Sequence, residues 1–226
     1  MSVKKEKTRQ EVNEVRIIGI IKDEFKFSHE FKGKKFYQNI VIAKRLSGTE
    51  DYVPIMVPEG LIFQRLNETV KGNQVEIFGQ FRSYNKIGND GQNHLQLHVF
   101  VNAIKFYQGN EESEEKTNIN SIYLDGYICT KPVFRFTPAG RKITELIIAV
   151  NRDYNKSSYI PCIAWEKNSK CLSTLKVGDR IQLNGRIQSR AYFKRKSPDS
   201  QEGEYRVAYE ISIANFNEVK DEISEE

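Results

Sequence analysis

The chain has 226 residues, 38% of them hydrophobic, with a mean hydropathy of −0.59 and a formal net charge of +5. That composition supports modest globular cores and excludes a disordered or membrane chain, and no apolar run approaches the roughly 18 residues that a membrane-spanning helix needs. The length suits two domains better than one.

The opening residues, MSVKKEKTRQ, are basic with no apolar stretch behind them, so they do not read as a secretory signal, and a cytoplasmic, nucleoid-associated protein is expected. Charge is unevenly placed. Residues 217–226, NEVKDEISEE, hold five acids against one Lys, a net −4, so the first 216 residues hold +9. A basic body with an acidic tail points to a polyanion partner that the tail does not touch.

In chain order, a basic arm (1–12) precedes a strand-rich first domain (13–107), in which Ile62, Phe63 and Leu66 are spaced for one stripe of a short helix. A polar, acidic linker (108–119), GNEESEEKTN at its centre, follows. The second domain (120–216) opens with SIYLDGYI, alternating Ile122, Leu124 and Ile128 against Tyr123, Asp125 and Tyr127, and continues into the β-branched run TELIIAVNR and the strand YIPCIAW. EKNSKCLSTL, with Cys171, Leu172 and Leu175 on one stripe, predicts a short helix before RIQLNGRIQSRAYF and YRVAYEISIANF. Cys129, Cys162 and Cys171 sit in apolar contexts and read as buried free thiols. His94 and His98 share one strand face with no ligand cluster near them, so no metal is expected, and no cofactor or catalytic set is visible.

The two domains are copies. At an offset of 107, Gly19, Gly33, Arg45, Tyr52 and Pro54 fall on Gly126, Gly140, Arg152, Tyr159 and Pro161; at 106, Gly72 and Gly79 fall on Gly178 and Gly185. Three strands, a helix and two strands, with glycines inside strands where a small barrel must bend, give an all-β fold of two tandem OB-fold five-stranded barrels, each with a short helix between strands 3 and 4.

Alternate strand residues share a face. Ile160, Cys162 and Ala164 read as inward, and Tyr159, Pro161, Ile163 and Trp165 as outward, with Pro161 expected near an edge or bulge. On the fourth strand Ile181, Leu183 and Ile187 face in, while Gln182, Asn184, Arg186, Gln188, Arg190 and Tyr192 face out. Aromatic faces interleaved with cations suit unpaired bases and the phosphates between them.

FTPAGRKITELIIAVNRDY, YIPCIAW and GDRIQLNGRIQSRAY, in that order, resemble the bacterial-type single-stranded DNA-binding proteins (SSB) over almost the whole second copy. The resemblance implies base stacking on Tyr154, Tyr159, Trp165 and Tyr192, and Arg152, Lys167, Arg186 and Arg190 are the phosphate candidates beside them. Lys156 and Lys194 to Lys196 on hairpin loops extend that path. In the first copy the four aromatic positions are Ser47, Tyr52, Pro58 and Lys86; Tyr84 and Phe78 face outward beside Arg82 and Lys86. The first domain is therefore read either as a weaker binder or as an assembly half. Relatives of the tandem form pair as homodimers with four barrels, so a homodimer is implied. The short tail lacks the family's aromatic tip, and replication or repair partners are left open. An OB-pair scaffold of primosome type and an RNA-binding OB protein are the rival functions.

Overall fold

The computed structural model describes residues 12–88, 91–107, 118–152, 156–195 and 200–220. Residues 1–11 of the expected basic arm, most of the linker, the tail beyond Lys220, and Tyr154 and Lys196 lie outside them.

The first unit contains β1 (Asn13–Ile21), β2 (Lys26–Phe31), β3 (Lys34–Lys44), β4 (Glu50–Pro58), β5 (Gln74–Ile87) and β6 (Asn93–Tyr107). The second repeats them as β7 (Ile119–Ile128), β8 (Val133–Phe136), β9 (Lys142–Arg152), β10 (Lys156–Trp165), β11 (Arg180–Arg195) and β12 (Gly203–Val219). In each unit five strands close a ring. β1 pairs β3 and β5, β3 pairs β4, and β5 pairs β6 in antiparallel fashion, while β4 meets β6 in parallel at Ile55 and Met56. In the second unit, β7, β9, β10, β12 and β11 close the same way, with the parallel contact at Cys162 and Ile163. Each ring is an OB barrel.

Closing so small a ring forces backbones together where the strands bend. A Cβ on Gly19 would stand 2.4 Å from the Ile42 carbonyl oxygen, and the equivalent distances are 2.3 Å at Gly79, 2.5 Å at Gly126 and 2.5 Å at Gly185. Only glycine permits those approaches. Gly79 and Gly185 also sit opposite register shifts, where β6 and β12 carry one extra residue each, Asn102 and Ala214, and such a bulge bends the strand that holds it.

β1 and β7 pair across the two units, Asn13 opposite Leu124 and Ile18 opposite Ile119, so one sheet runs through both barrels. Asn13 exchanges two hydrogen bonds with the Phe81 backbone, and Asn120, its repeat partner, does the same with Ile187. These amides satisfy the backbone N–H and C=O of Phe81 and Ile187 beside the shared sheet. The core beneath is mainly aliphatic, with Ile17 and Ile77 and the aromatic Phe81 fully buried in one barrel and Ile122, Ile148, Leu183 and Ile187 in the other.

Four expectations change. Each unit has a fourth strand before its helical segment: β2 and β8 form hairpins on β3 and β9. Nearly every residue of both is exposed, so neither carries the inside–outside alternation by which strands are read. The helix expected in the first unit is instead two short 3₁₀ turns, Glu59–Leu61 and Phe63–Arg65, with Phe63 exposed. Gly60 inside that segment disfavours a continuous α-helix by about 1 kcal/mol. The second unit forms α1 (Glu166–Leu172), on which Leu172 is buried but Cys171 is exposed; Cys129 is half-buried and only Cys162 is fully buried. Last, Asp125, Ile163 and Gln188 are buried although they lie on outward faces. Asp125 accepts from Arg180 Nε (2.8 Å), Arg180 Nη2 (3.1 Å) and Gln182 Nε2 (2.9 Å), while Gln188 donates to Glu210 at 2.7 Å. Buried polar groups persist where such partners satisfy them.

Candidate nucleic-acid interface

The alternation in β10 puts Ile160, Cys162 and Ala164 in the core and turns Tyr159 and Trp165 outward, with Tyr159 half-exposed. Pro161 pairs with Ile147 in β9, one residue before β12 joins. Its missing N–H therefore falls in a stretch of β10 that has a ladder partner on one side.

Trp165 closes the strand and stands at the N-cap of α1. The Arg141 guanidinium lies 4.4 Å from its ring centroid and reaches Glu166 at 3.4 Å. This cation–π contact fixes the indole while keeping it at the surface. Sequence reasoning did not single out Arg141, which lies in the turn before β9; its place in the FTPAGRK segment was the available signal.

On β11, Arg190 and Tyr192 are exposed and 6.0 Å apart, guanidinium to ring, and Arg190 also faces Glu210 at 3.6 Å. Lys167 on α1 and Lys156 and Lys194 at hairpin ends are exposed. Arg186 is half-buried: burial lowers its pKa, a nearby Arg45 lowers it further, and Asp51 raises it.

In the first unit, Tyr84 is exposed and packs on His98 at 4.7 Å, while Arg82 lies 4.1 Å over Phe100 and donates twice to Gln80. Phe78 is exposed beneath Arg16, and Lys86 is exposed. Tyr52 is less available. Lys22 lies 5.4 Å over its ring, and its hydroxyl donates to Glu50 at 2.8 Å, a bond that raises the phenol's pKa. Ser47 and Pro58 carry no aromatic ring.

The two rows meet at the boundary between the barrels. The Tyr159 N–H donates to Ser83 Oγ at 2.7 Å, and the Ser83 N–H points to Ser158 Oγ at 3.4 Å. In the repeat-related seam, the Tyr52 N–H donates to Ser189 Oγ at 2.9 Å, and the Ser189 N–H donates to Asp51 Oδ1 at 3.2 Å. Tyr159 of one barrel is thereby held beside the Arg82–Tyr84 segment of the other, and Tyr52 beside the Arg190–Tyr192 segment. Aromatic rings with cations beside them, Trp165 with Arg141 and Tyr192 with Arg190, thus lie at the surface of the second barrel, and Tyr84 lies two residues from Arg82 on the first. Such a surface can stack bases and neutralise phosphates. Among the described residues no group of His, Cys, Asp and Glu is arranged to hold a metal, and no helix is long and apolar enough to cross a membrane.

Residues 119–219, from β7 through β12, match the model of the single-strand binding protein family. The single-stranded DNA-binding protein 2 of Listeria innocua is 32% identical over 81 residues, covering 33% of this chain and 51% of that protein. The single-stranded DNA-binding protein A of Bacillus subtilis is 30% identical over 81 residues, covering 33% and 47%. The chain thus spans about half the length of the curated relatives it matches. The wild-type single-stranded DNA-binding protein of Thermus aquaticus superposes with a TM-score of 0.72 at 17% identity, over 96% of this chain and 97% of that one. That likeness extends the shared fold over both barrels.

Proposed function

We propose that this chain, whose residues 119–219 form a domain of the single-strand binding protein family, binds single-stranded DNA without marked sequence preference and coats strands exposed in replication, recombination or repair. The observation that carries the reading is the outward row of Tyr159, Trp165 and Tyr192 interleaved with Arg141 and Arg190. Aromatic faces accept any base, which is why the binding tolerates sequence.

Stacking falls to Trp165, Tyr192, Tyr159 and Tyr154, with Tyr84 and, more weakly, Tyr52 adding to it from the first barrel. Arg152, Lys167, Arg190, Lys194, Arg82 and Lys86 face the backbone of the strand, and Arg186 lies half-buried behind them. Each barrel covers about 4 to 16 nucleotides. Two chains pair, giving four barrels; the exposed Phe27 and Phe31 on β2 and Val133, Phe134 and Phe136 on β8 support this by leaving apolar groups on the terminal strands of the sheet.

Fluorescence anisotropy of labelled oligo(dT), with duplex DNA and an RNA oligomer as competitors, tests the reading. Displacement by unlabelled single strands and not by duplex is expected. Equal competition by duplex would overturn it, and preference for the RNA oligomer would move the protein to RNA.

A further inference from the structure

The two seams between the barrels are equivalent in backbone and unequal in charge. Asp51 lies opposite Ala43 in the β3–β4 ladder, and Ser158 lies opposite Val150 in the β9–β10 ladder, so Asp51 and Ser158 occupy one repeat position. Arg45 and Arg152 share another, and Arg186 and Gln80 a third.

In the first seam the Asp51 carboxylate is buried and saturated. Arg45 Nε donates to Oδ2 at 2.7 Å and Arg45 Nη2 to Oδ1 at 2.5 Å, the Ser189 N–H adds its bond to Oδ1, and Arg186 Nε stands 3.8 Å from Oδ2. A planar anion held by a forked guanidinium, a second arginine and a backbone N–H is the donor set that proteins use for phosphate.

In the second seam the anion is missing. Ser158 replaces the aspartate, and the half-buried Arg152 keeps one long bond to the Ser157 carbonyl, 3.4 Å from Nη2. Its Nε is buried with no hydrogen-bond partner, as is Arg186 Nε in the first seam, but Arg186 Nε has the Asp51 carboxylate at 3.8 Å, whereas no carboxylate among the described residues lies within ion-pair distance of Arg152. Burial lowers its pKa with no opposing acid. An unmet guanidinium N–H is costly to leave and is satisfied by an arriving oxyanion. Gln80, in the place of Arg186, is engaged by Arg82, which brings a second cation to this seam.

We infer that the Ser158 seam is a phosphate-binding subsite centred on Arg152, and that Asp51 is a built-in counter-anion that closes the equivalent subsite at Arg45 and Arg186. Bound strand therefore crosses between the barrels at the Ser83–Tyr159 seam, and strand stacked on Tyr192 does not continue across the Ser189–Tyr52 seam. The inference rests on the single-strand reading above and adds a direction to it.

The test is the salt dependence of oligo(dT) affinity for the full chain and three variants, with Trp165 fluorescence as a parallel readout. Ser158→Asp places a carboxylate in the register that Asp51 has with Arg45; the log–log salt slope is expected to become shallower by about 0.7, the share of one phosphate on a single strand, while Trp165 still responds at saturation. Asp51→Ser is expected to steepen the slope by a similar amount. Asp51→Asn, which keeps the shape and the acceptor for the Ser189 N–H, carries that arm should the serine variant unfold. An unchanged slope in Ser158→Asp, or in the folded Asp51 variant, overturns the inference and leaves the single-strand reading standing. Absence of oligo(dT) binding by the unsubstituted chain overturns the reading beneath it.

Discussion

Tyr159 donates its backbone N–H to Ser83 Oγ at 2.7 Å, tying β10 of the second barrel to β5 of the first. One bond thus fixes where the second domain's stacking row meets Arg82 and Tyr84, and the repeat-related bond from Tyr52 to Ser189 does the same on the other side.

The aromatic positions are unequal. Trp165→Ala or Tyr192→Ala is expected to weaken oligo(dT) binding by about 1–3 kcal/mol, the range for losing one base–aromatic stack. Tyr52→Ala is expected to cost much less, because Lys22 covers its ring and Glu50 holds its hydroxyl. Titration of each variant at one salt concentration checks the order. Equal losses would show that the first barrel stacks bases as well as the second does.

Gly185→Ala is expected to destabilise the second barrel without touching a nucleic-acid contact. The added Cβ would meet the Ser212 carbonyl oxygen at 2.5 Å and Ile211 Cγ2 at 2.9 Å, and relieving that overlap costs about 1–3 kcal/mol. Urea unfolding measures it. A variant as stable as the parent would show that the barrel closes with slack at this point.

Asp125→Ala is expected to cost about 3–5 kcal/mol, the usual result of stripping one partner from a buried ion pair. Both Asp125 and Arg180 are buried, and the alanine leaves a guanidinium and the Gln182 amide facing an empty acceptor position. Thermal unfolding of the two variants Asp125→Ala and Asp125→Asn checks it, the amide retaining part of the hydrogen bonding and losing less.

His98 gives the fold a pH dependence. Burial pushes its imidazole down to about 4, so the folded state holds it neutral while the unfolded chain takes up a proton near pH 6.5. Its contribution is complete above about pH 6.5 and is lost as the pH falls toward 4, a difference of about 2 kcal/mol after allowing for its partial exposure. His98→Gln is expected to flatten that slope in urea unfolding between pH 7 and pH 4; an unchanged slope would place the dependence in the carboxylates.

Much of this was legible because it is local. The glycines at positions 19, 79, 126 and 185 announced both the repeat and the bends, and the alternation around Ile160, Cys162 and Ala164 separated core from surface. The misses share a cause. Asp125 and Arg180 are distant in sequence and meet only because β7 and β11 adopt one register, and Asp51 and Ser189 meet only because two barrels abut. β2 and β8 are strands by virtue of their partners, since their own residues face solvent on both sides. The 3₁₀ turns of the first unit show a weaker version of the same limit, an apolar stripe overridden by Gly60.

Trp165, the only tryptophan in the chain, reports directly on the surface that carries the proposed function. Its fluorescence under titration with oligo(dT), at low and high salt and against duplex DNA, is the most direct single measurement. Strong quenching by oligo(dT) that survives added salt and is absent with duplex is expected if bases stack on the indole. No quenching, or a response that vanishes at moderate salt, would mean that the indole serves packing with Arg141 alone, and would give the lead to a protein-scaffold role for the paired barrels.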